Sequence, residues 1–408
     1  MKILQINCVY GYGSTGKITE AIHTSLLKKG DSSIVLYGRG AESSAPGVLR
    51  VCSDIYGKSC AAISHLTGLR YGGCRYSTNR ILHIIQQEQP DVVHLQCING
   101  NFVNVYRLVS WLNLNKITTV LTHQAEFMYT ANCSHAFDCE QWKFGCMNCA
   151  NYRRASRSLI RNRTHQSWER MKQAFSGFSD RLCVVSVSPW LKERAAASPI
   201  LRDCVHCVVG NGLDTNIFCY RPSLYLRQKH NLCGKRVVFH ATAMFSDQPD
   251  HPKGGWHLLQ LARKMRKESV AFLVAGKTDI HSSLPENVIL LGEIQDQSLL
   301  AGYYNMADLV LLTSQRETFS MVCAESLCCG TPVVGYCAGA PEKIALPDYS
   351  QFVPYGDIDA LEQTIHEWIS KKTEDFRADM IREACHTYSQ DTMTTQYYEI
   401  YRRMICKK

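Results

Sequence analysis

The sequence lacks a long apolar run. No stretch of its 408 residues approaches the roughly 18 uncharged apolar residues that a membrane-spanning helix needs. The opening residues, MKILQINCVY, are too short and too polar for the apolar core of a secretory leader, and they predict an opening β-strand. We therefore expect a protein that is made and kept inside the cell.

The sequence also lacks the high cysteine content of a scaffold that is held together by disulfides. The 20 cysteines make up only about 5% of the chain. Many lie in apolar strand or helix patterns, where a free thiol behaves as a small hydrophobe (Cys183, Cys323, Cys328 and Cys329). This usage suits a reducing compartment. Because single cores stop growing at roughly 250–300 residues, a chain of this length predicts two domains.

Acidic residues are scarce in one segment. Residues 151–172 contain seven arginines and lysines but only one acidic residue, Glu169, so this segment carries six of the nine surplus positive charges. Two interpretations stay open. The charges form a solvated helix face, or they attract an anionic partner such as acidic lipid headgroups, a lipid-linked pyrophosphate or nucleic acid.

Short apolar segments alternate with helical patterns along the whole chain. The first half contains KILQINCV, SSIVLYG, DVVHLQC, TTVLTH and RLCVVSVSPWL, and the second half contains KRVVFHA, VAFLVAG, VILLGE, DLVLLTS and TPVVGY. Buried strands separated by helices predict parallel sheets covered on both faces, hence two doubly wound Rossmann-like α/β domains facing a central cleft. The predicted boundaries are 1–208 with a Cys-rich insertion at 131–150, then 209–388, then a C-terminal helix at 389–408 that packs back on the first domain.

A glycine-rich turn follows the first strand, with the sequence GYGSTGK from Gly11 to Lys17. Its glycines would let the backbone approach a ligand, and the following helix N-terminus would suit an anion. As a dinucleotide motif it lacks the acidic residue after strand two, where Arg39 would instead permit the 2′-phosphate of NADP. As a P-loop it fails at Ile18, which has no hydroxyl for magnesium. A tight turn without a ligand is the third interpretation.

Two glutamates, Glu317 and Glu325, lie eight residues apart between the strands DLVLLTS and PVVGY. We expect Glu317 in the loop at a strand's carboxyl end and Thr318–Met321 at a helix start whose N–H groups suit a phosphate. Glu325 would lie about two turns into that helix, within reach of a ribose. A capped surface helix would show the same spacing by chance.

These motifs together resemble the retaining GT-B glycosyltransferases of family 4. The resemblance covers roughly residues 1–390 and is most specific over 308–343, where E-x7-E is followed by GTPVV and by GAPE. It implies that Glu317 contacts the hydroxyls of the donor sugar, that Glu325 holds the ribose and that Lys253 neutralises the diphosphate. The remaining implied donor-binding residues are Gly13, Ser14, Thr15 and Gly16 of the first loop and Phe319, Ser320, Met321 and Val322 at the helix start.

One basic residue of this family is missing. Its usual arginine upstream of the lysine has no counterpart in residues 241–252. Because a departing diphosphate needs positive charge opposite it, either Lys253 and the helix dipole suffice or another residue such as Arg316 substitutes.

Two histidines follow strands of the first domain. Although a lone histidine is more often structural, the resemblance favours a catalytic contact from His123 to a sugar hydroxyl or to the leaving phosphate. Gln124 follows it where the family often has aspartate, which argues against a base there. For His94, a ligand contact and a buried structural role stay equally open. The resemblance also implies retention, with front-face departure and a diphosphate oxygen accepting the acceptor's proton.

Four cysteines lie close together in the insertion: Cys133, Cys139, Cys146 and Cys149. Thiolates at this spacing, the last two as C-x-x-C, favour a structural zinc site, with His135 as a spare ligand. Disulfides or loose thiols are the alternative. A subgroup of polysaccharide-building family 4 enzymes resembles this stretch, including its W-K-x-G-C-x-x-C. No catalytic metal is expected.

The function predicted is transfer of a sugar from a nucleotide-diphosphate donor to a glycan or lipid-linked acceptor, in surface polysaccharide synthesis. We expect a cytoplasmic enzyme at the inner face of the membrane, contacting it through the basic segment 153–172. The alternative, an NADP-dependent oxidoreductase, leaves Glu317, Glu325 and Lys253 unexplained. A nucleic-acid-binding protein would have no use for two complete α/β domains.

Overall fold

The computed structural model describes residues 1–406, which form two units. Unit 1 comprises Met1–Gly210 together with the chain from Met393 onward, and unit 2 comprises Asn211–Thr392. Each unit is built on one parallel β-sheet. Among residues 1–406, none of the helices combines the length and apolarity that crossing a membrane requires.

The sheet of unit 1 has seven strands. They are β1 (Lys2–Asn7), β2 (Ser32–Tyr37), β3 (Val48–Arg50), β4 (Val92–Leu95), β5 (Thr119–His123), β6 (Leu182–Ser186) and β7 (Val205–Val208). Their order is β3-β2-β1-β4-β5-β6-β7, and every pairing is parallel. Because the order reverses between β1 and β4, the connecting helices cover both faces.

The sheet of unit 2 has six strands, in the order β10-β9-β8-β11-β12-β13 and again all parallel. They are β8 (Arg236–Ser246), β9 (Val270–Asp279), β10 (Val288–Gly292), β11 (Leu309–Leu312), β12 (Val333–Tyr336) and β13 (Ser350–Val353). This is the strand order of a dinucleotide-binding Rossmann sheet, with its reversal between β8 and β11.

Helices fill the connections between the strands. Unit 1 contains α1 (Gly13–Lys28), α2 (Asp54–Thr67), α3 (Arg75–Glu88), α4 (Val105–Leu114), α5 (Phe127–Thr130), α6 (Tyr152–Ser156), α7 (Thr164–Phe175) and α8 (Pro189–Ala197). Unit 2 contains α9 (Leu224–Lys229), α10 (Gly255–Lys264), α11 (Gln297–Met306), α12 (Met321–Cys328), α13 (Pro341–Ile344), α14 (Ile358–Ser370) and α15 (Arg377–Tyr388). The last helix is α16 (Gln390–Cys406).

Helix α16 packs on the sheet of unit 1 beside α1. Its apolar side recurs every three to four residues, at Met393, Tyr397, Ile400, Tyr401 and Met404, and these side chains share a core cluster with α1 and the central strands. The cluster also contains polar contacts. Tyr397 Oη lies 2.9 Å from the Thr122 hydroxyl of β5, so these two buried hydroxyls are hydrogen-bonded to each other.

The core of unit 2 lies on the face that α10 and α14 cover. Leu258, Leu261 and Ala262 of α10 and Leu361, Ile365 and Trp368 of α14 pack on apolar side chains of β8, β9 and β11. Helix α14 begins after an N-cap, because the carboxylate of Asp357 accepts a hydrogen bond from the Ala360 N–H at 3.0 Å. These helices fix the sheet whose carboxyl edge carries the candidate site.

Candidate active site

The strand order of unit 2 marks one place for a ligand. In open parallel sheets, ligands bind outside the carboxyl ends of the strands where the order reverses, here between β8 and β11. Lys253 lies after β8 and Glu317 lies after β11. Lys253 Nζ is 2.6 Å from Glu317 Oε1, and both side chains are partly exposed. Two of the three predicted catalytic residues therefore form one ion pair at the reversal point.

The backbone around Lys253 is fastened to the loop after β11. Gly254 has φ +68°, and a Cβ there would lie 1.9 Å from the Thr313 carbonyl oxygen, so only glycine fits. The Thr313 hydroxyl donates to the Lys253 carbonyl at 3.2 Å, and the Gln315 N–H donates to the Pro252 carbonyl at 2.8 Å. The chain at Pro252 and Lys253 is thus hydrogen-bonded to the loop after β11.

A second loop supports Glu317. Its N–H donates to the Ala338 carbonyl at 2.9 Å, and its carbonyl accepts from the Ala340 N–H at 3.3 Å. The Glu342 carboxylate in turn accepts hydrogen bonds from the N–H groups of Ala338 and Gly339, both at 2.9 Å. The loop after β12 therefore positions the backbone of Glu317. The carboxylate of its own Glu342 is hydrogen-bonded by backbone N–H groups on both oxygens.

Helix α12 begins later than the sequence predicts. The expected start at Thr318–Met321 is wrong by up to three residues: Ser320, with φ +85°, is the N-cap and Met321 the first helical residue. The Ser320 hydroxyl accepts from the Cys323 N–H at 3.3 Å, which is the physical reason that the helix starts there. Glu325 consequently lies just over one turn, not two, from the N-terminus.

The other predicted donor-binding residues lie around this helix start. Phe319 and Ser320 are buried, whereas Met321 and Val322 are half-buried. The first turn of any helix has N–H groups without intrahelical partners, and the helix dipole favours an anion there. The start of α12 therefore lies beside the ion pair with the electrostatics that a phosphate group needs.

Glu325 is oriented by a buried tyrosine that sequence reasoning missed. Tyr304 of α11 is fully buried, and its hydroxyl donates to Glu325 Oε2 at 2.8 Å. Burial, and then the nearby Glu325 carboxylate, raise the pKa of Tyr304 well above its usual range, so the phenol stays a proton donor. Thr331 Oγ1 donates to the Tyr304 carbonyl at 2.7 Å. One oxygen of Glu325 is thus fixed by Tyr304.

A cavity of about 270 Å³ lies next to this pair, lined by residues 241–243 within β8, by Ala275 and Gly276 within β9 and by residues just after β10. Its small residues leave room for a flat group, and Glu325 contributes a carboxylate to its wall. Apart from Val322 and Glu325, the lining was not predicted from the sequence. It consists of Ala241, Thr242, Ala243, Ala275, Gly276, Glu293, Ile294, Leu300, Tyr304, Val322 and Glu325. The sequence signal that could have predicted this lining is the pair of segments VAG and LGE, in which small or acidic residues follow apolar strand residues.

The glycine-rich loop of unit 1 is a tight turn held by backbone and side-chain hydrogen bonds. Gly11 and Gly13 have φ of +74° and +63°, and the Gly11 N–H donates to the Gly16 carbonyl at 3.2 Å. The Asn7 amide, at the end of β1, donates to the Val9 and Thr15 carbonyls at 2.8 and 3.1 Å. Of the predicted contact residues, Gly13 and Ser14 are exposed, Thr15 is half-buried and Gly16 is buried.

His123 ends β5 and is fully buried. Within residues 1–406 neither ring nitrogen has a hydrogen-bond partner, an arrangement that costs about 1–3 kcal/mol per group when nothing compensates it. Burial, with a smaller contribution from His206, lowers the pKa of His123 to about 3. The ring is therefore neutral near pH 7, so a ligand contact from His123 would be a hydrogen bond and not an ion pair.

His94 has a structural role. It is fully buried, its Nε2 lies 2.8 Å from the Thr122 hydroxyl, and its Nδ1 lies 2.7 Å from the Tyr401 hydroxyl of α16. Burial lowers its pKa to about 3. With both nitrogens engaged inside unit 1, the ligand contact that the sequence left open for His94 is wrong.

The Cys-rich insertion is a compact loop with four free thiols. Burial raises the pKa of Cys133 and Cys146 to about 12, and thiolate charge at the other cysteines of the set adds to each shift. The four thiols therefore lie close enough for the charge of one to raise the pKa of another. Across residues 1–406, however, no set of three or more His, Cys, Asp or Glu side chains is placed to hold a metal ion. Zinc stays a prediction.

A buried ion pair attaches this insertion to α8. Glu126 is fully buried and accepts hydrogen bonds from Arg194 Nε at 2.7 Å and from the Ala136 N–H at 2.6 Å. The Arg194 guanidinium also stacks over Trp142 and Trp190, both at 5.1 Å from the ring centroid. Every polar group of Glu126 is thus used to fold the insertion.

The basic segment folds as α6, a loop and the start of α7. Leu159 and Ile160 in the loop are each 65% exposed, which is unusual for large aliphatic side chains. Arg157 and Arg161 flank them in the chain and are also exposed. The segment therefore presents two apolar side chains between cationic ones on the surface of unit 1.

Comparison with known proteins defines the class. The fold matches solved GT-B glycosyltransferases over nearly the whole chain. HepE of Anabaena, crystallised in complex with UDP, has a TM-score of 0.67 at 16% identity and covers 99% of this chain and 100% of that one. Sucrose-phosphate synthase from Thermosynechococcus elongatus has a TM-score of 0.64 at 15% identity, with 100% of both chains covered. The predicted fold, two parallel-sheet Rossmann-like domains of the GT-B type, is confirmed.

The second unit also resembles known proteins in sequence. Residues 241–387 match the family model described as "Glycosyl transferases group 1". A putative colanic acid biosynthesis glycosyl transferase, WcaC of Escherichia coli (strain K12), is 22% identical over 360 residues, which cover 84% of this chain and 85% of that protein. The predicted enzyme class, a glycosyltransferase, is confirmed, and the NADP-dependent oxidoreductase has no support.

Proposed function

We propose that the chain transfers a sugar from a nucleotide-diphosphate donor to a glycan or lipid-linked acceptor, with retention of configuration, as a family 4 type enzyme of surface polysaccharide synthesis. The single observation that carries the proposal is the Lys253–Glu317 ion pair at the sheet reversal, next to the start of α12. The structures of HepE with UDP and with UDP-glucose, and the colanic acid assignment of WcaC, support it.

Different residues of unit 2 would bind the nucleoside, the diphosphate and the sugar of the donor. The cavity takes the nucleoside, and the Glu325 carboxylate, oriented by Tyr304, accepts from a ribose hydroxyl. Lys253 and the N-terminal N–H groups of α12 bind the diphosphate. When donor binds, the Lys253 ammonium moves its contact from Glu317 to phosphate oxygens, and Glu317 becomes free to accept from the hydroxyls of the sugar.

The transfer step needs little further machinery. The bond between the anomeric carbon and the diphosphate oxygen breaks, the acceptor oxygen bonds to the same face of that carbon, and the acceptor's proton passes to the departing diphosphate. Lys253 and the α12 dipole stabilise the charge that develops there, with Arg316, next to Glu317 in the chain, as the further candidate cation. In unit 1, neutral His123 would hydrogen-bond a sugar hydroxyl or the leaving phosphate, and the turn Gly13–Gly16 would contact the donor.

Titration calorimetry tests this function, because a nucleoside diphosphate among UDP, GDP and TDP is expected to bind and NADP is not. Binding of NADP alone would overturn the proposal.

We also propose that zinc orders the Cys-rich insertion without entering the reaction. Cys133, Cys139, Cys146 and Cys149 are mutual neighbours whose protons a metal would displace. Purified protein is expected to contain about one equivalent of zinc by elemental analysis, because the four thiolates would complete a tetrahedral site once the metal draws them together.

The double variant Cys146→Ser, Cys149→Ser should lose that zinc, whereas Cys233→Ser, at an exposed cysteine of unit 2, should retain it. Zinc-free wild-type protein, or retention of zinc in the double variant, would contradict this proposal.

The basic segment is proposed to contact anionic lipid at the cytoplasmic face of the membrane. Leu159 and Ile160 would enter the headgroup region while the arginines around them bind lipid phosphates. Reversing the charge of Arg153 and Arg161 is expected to weaken sedimentation with acidic vesicles by at least roughly thirtyfold, because the loss of each positive charge alone costs about 1 kcal/mol and the added negative charges are repelled.

The matched control reverses Arg266 and Lys267, two exposed cations just after α10 in unit 2, and should leave sedimentation unchanged. Equal binding of the wild type to neutral and acidic vesicles would show that the segment is only a solvated surface.

A further inference from the structure

A pair of cysteines at the edge of the first sheet makes contacts that the proposed transfer reaction does not use. Cys183 lies on β6 and Cys207 on the edge strand β7, and their sulfur atoms are 3.7 Å apart, with the Cys183 thiol donating to Cys207. Arg403 of α16 also contacts it, with Nη2 donating to Cys207 Sγ at 3.0 Å. The Cys207 sulfur thus accepts from two donors.

This arrangement favours the thiolate of Cys207. A sulfur atom that accepts from both a thiol and a guanidinium is stabilised when it carries negative charge. The hydrogen bond from Cys183, together with Arg403 and the more distant Lys192 of α8, lowers the pKa of Cys207 to about 5, against the opposing effect of burial. The same interaction raises the pKa of Cys183, which therefore remains the thiol of the pair.

The thiolate is also accessible. Cys207 is half-buried, and its strand lies at the edge of the sheet, where Val205 and Val208 are 39% and 38% exposed. Cys204 lies three residues earlier, and burial, and then Asp203, raise its pKa to about 11. Two cysteines of one short segment therefore differ strongly in their expected reactivity.

We propose that Cys207 is a site of covalent modification by soft electrophiles, and specifically by peroxides. The thiolate sulfur attacks one oxygen of the peroxide, the O–O bond breaks, and the departing hydroxide takes a proton to form water. Cys207 is oxidised by two electrons to the sulfenic acid while the peroxide is reduced. Because the sulfenic acid is neutral, its contact with the Arg403 guanidinium is no longer an ion pair.

The expected product is the modified single thiol and not a disulfide. In the strand register Cys183 lies opposite Val205, and Cys207 lies opposite Val185. The two cysteines are therefore diagonal neighbours, whose Cα atoms would be about 8 Å apart from strand spacing and rise. A disulfide needs Cα atoms closer than about 7 Å, so bridging them would require the edge strand to move.

Alkylation kinetics test the site in the full-length wild type. Brief exposure to iodoacetamide at pH 6, followed by fragmentation mass spectrometry, resolves Cys204 from Cys207 within their common tryptic peptide. We expect Cys207 to react roughly tenfold faster than Cys233, an exposed cysteine of unit 2, because its larger thiolate fraction outweighs its lower nucleophilicity. Equal or slower reaction of Cys207 would overturn the proposal.

Two variants of α16 test the cause. Arg403→Gln should slow alkylation of Cys207 at pH 6 about tenfold and leave Cys233 unchanged, whereas Arg402→Gln, at the exposed neighbouring arginine, should slow neither. After treatment with hydrogen peroxide, a dimedone adduct is expected at Cys207 in the wild type. A linked Cys183–Cys207 peptide as the main product, or no effect of Arg403→Gln, would contradict the inference.

Discussion

Replacement of Lys253 by methionine is expected to lower kcat/KM for the nucleotide-sugar donor by roughly 100- to 1,000-fold. Methionine keeps much of the length and apolar stem of lysine but removes the only charge of the side chain. Loss of one preorganised group that stabilises developing negative charge costs about 2.7–4 kcal/mol in other enzymes. Because the ammonium lies 2.6 Å from Glu317, the variant also leaves that carboxylate without its cation.

The control for this variant lies on the following helix. Lys264 of α10 pairs with Glu362 and Asp359 on the surface, away from the sheet reversal, so Lys264→Met should retain the wild-type kcat/KM. Nucleotide release under initial-rate conditions measures both variants. A Lys253→Met enzyme with wild-type kcat/KM would show that the diphosphate is neutralised elsewhere, with Arg316 as the first residue to examine.

Replacement of Glu325 by glutamine is expected to raise the donor KM and the Kd of the free nucleotide by about 10- to 100-fold. A hydrogen bond to a charged group contributes about 1.5–3 kcal/mol, and glutamine offers a weaker, neutral acceptor of nearly the same shape. Tyr304→Phe removes only the hydroxyl that orients the carboxylate, so a smaller loss of about threefold to tenfold is expected, from 0.5–1.5 kcal/mol.

The two effects should not add in the double variant. If Tyr304 acts only by holding Glu325, then Tyr304→Phe changes little once Glu325 is glutamine. Glu286→Gln, at an exposed glutamate of unit 2, is the control for a change of charge alone and should leave Kd unchanged. Full additivity of the Tyr304 and Glu325 losses would contradict the proposed positioning role of Tyr304.

Much of this site could be predicted because its parts are local in the sequence. Glu317, the start of α12 and Glu325 lie within one loop and one short helix, so their spacing predicts their arrangement. The apolar runs likewise predict the central strands. The edge strands β3 and β7 were missed because Val48–Arg50 is very short and Val205–Val208 is only half-buried, which leaves little apolar pattern to detect.

The rest depends on packing between elements that are distant in the chain. Tyr304 looks like any core tyrosine of an amphipathic helix, and only the folded chain brings its hydroxyl to Glu325. His94 shows the opposite case, because a histidine at a strand end resembles a ligand contact until Tyr401, more than 300 residues later, is seen to bond to it. The sequence also misplaced the start of α12, since the cap at Ser320 depends on an uncommon backbone conformation.

The most direct test of the central claim, that unit 2 holds a nucleoside diphosphate through Glu325, is calorimetric titration of the full-length protein with UDP, GDP, TDP and NADP. One of the three nucleoside diphosphates should bind with a stoichiometry near one, Glu325→Gln should weaken that binding at least tenfold, and NADP should give no binding heat. Saturable binding of NADP, with no heat from any of the three diphosphates, would contradict the claim.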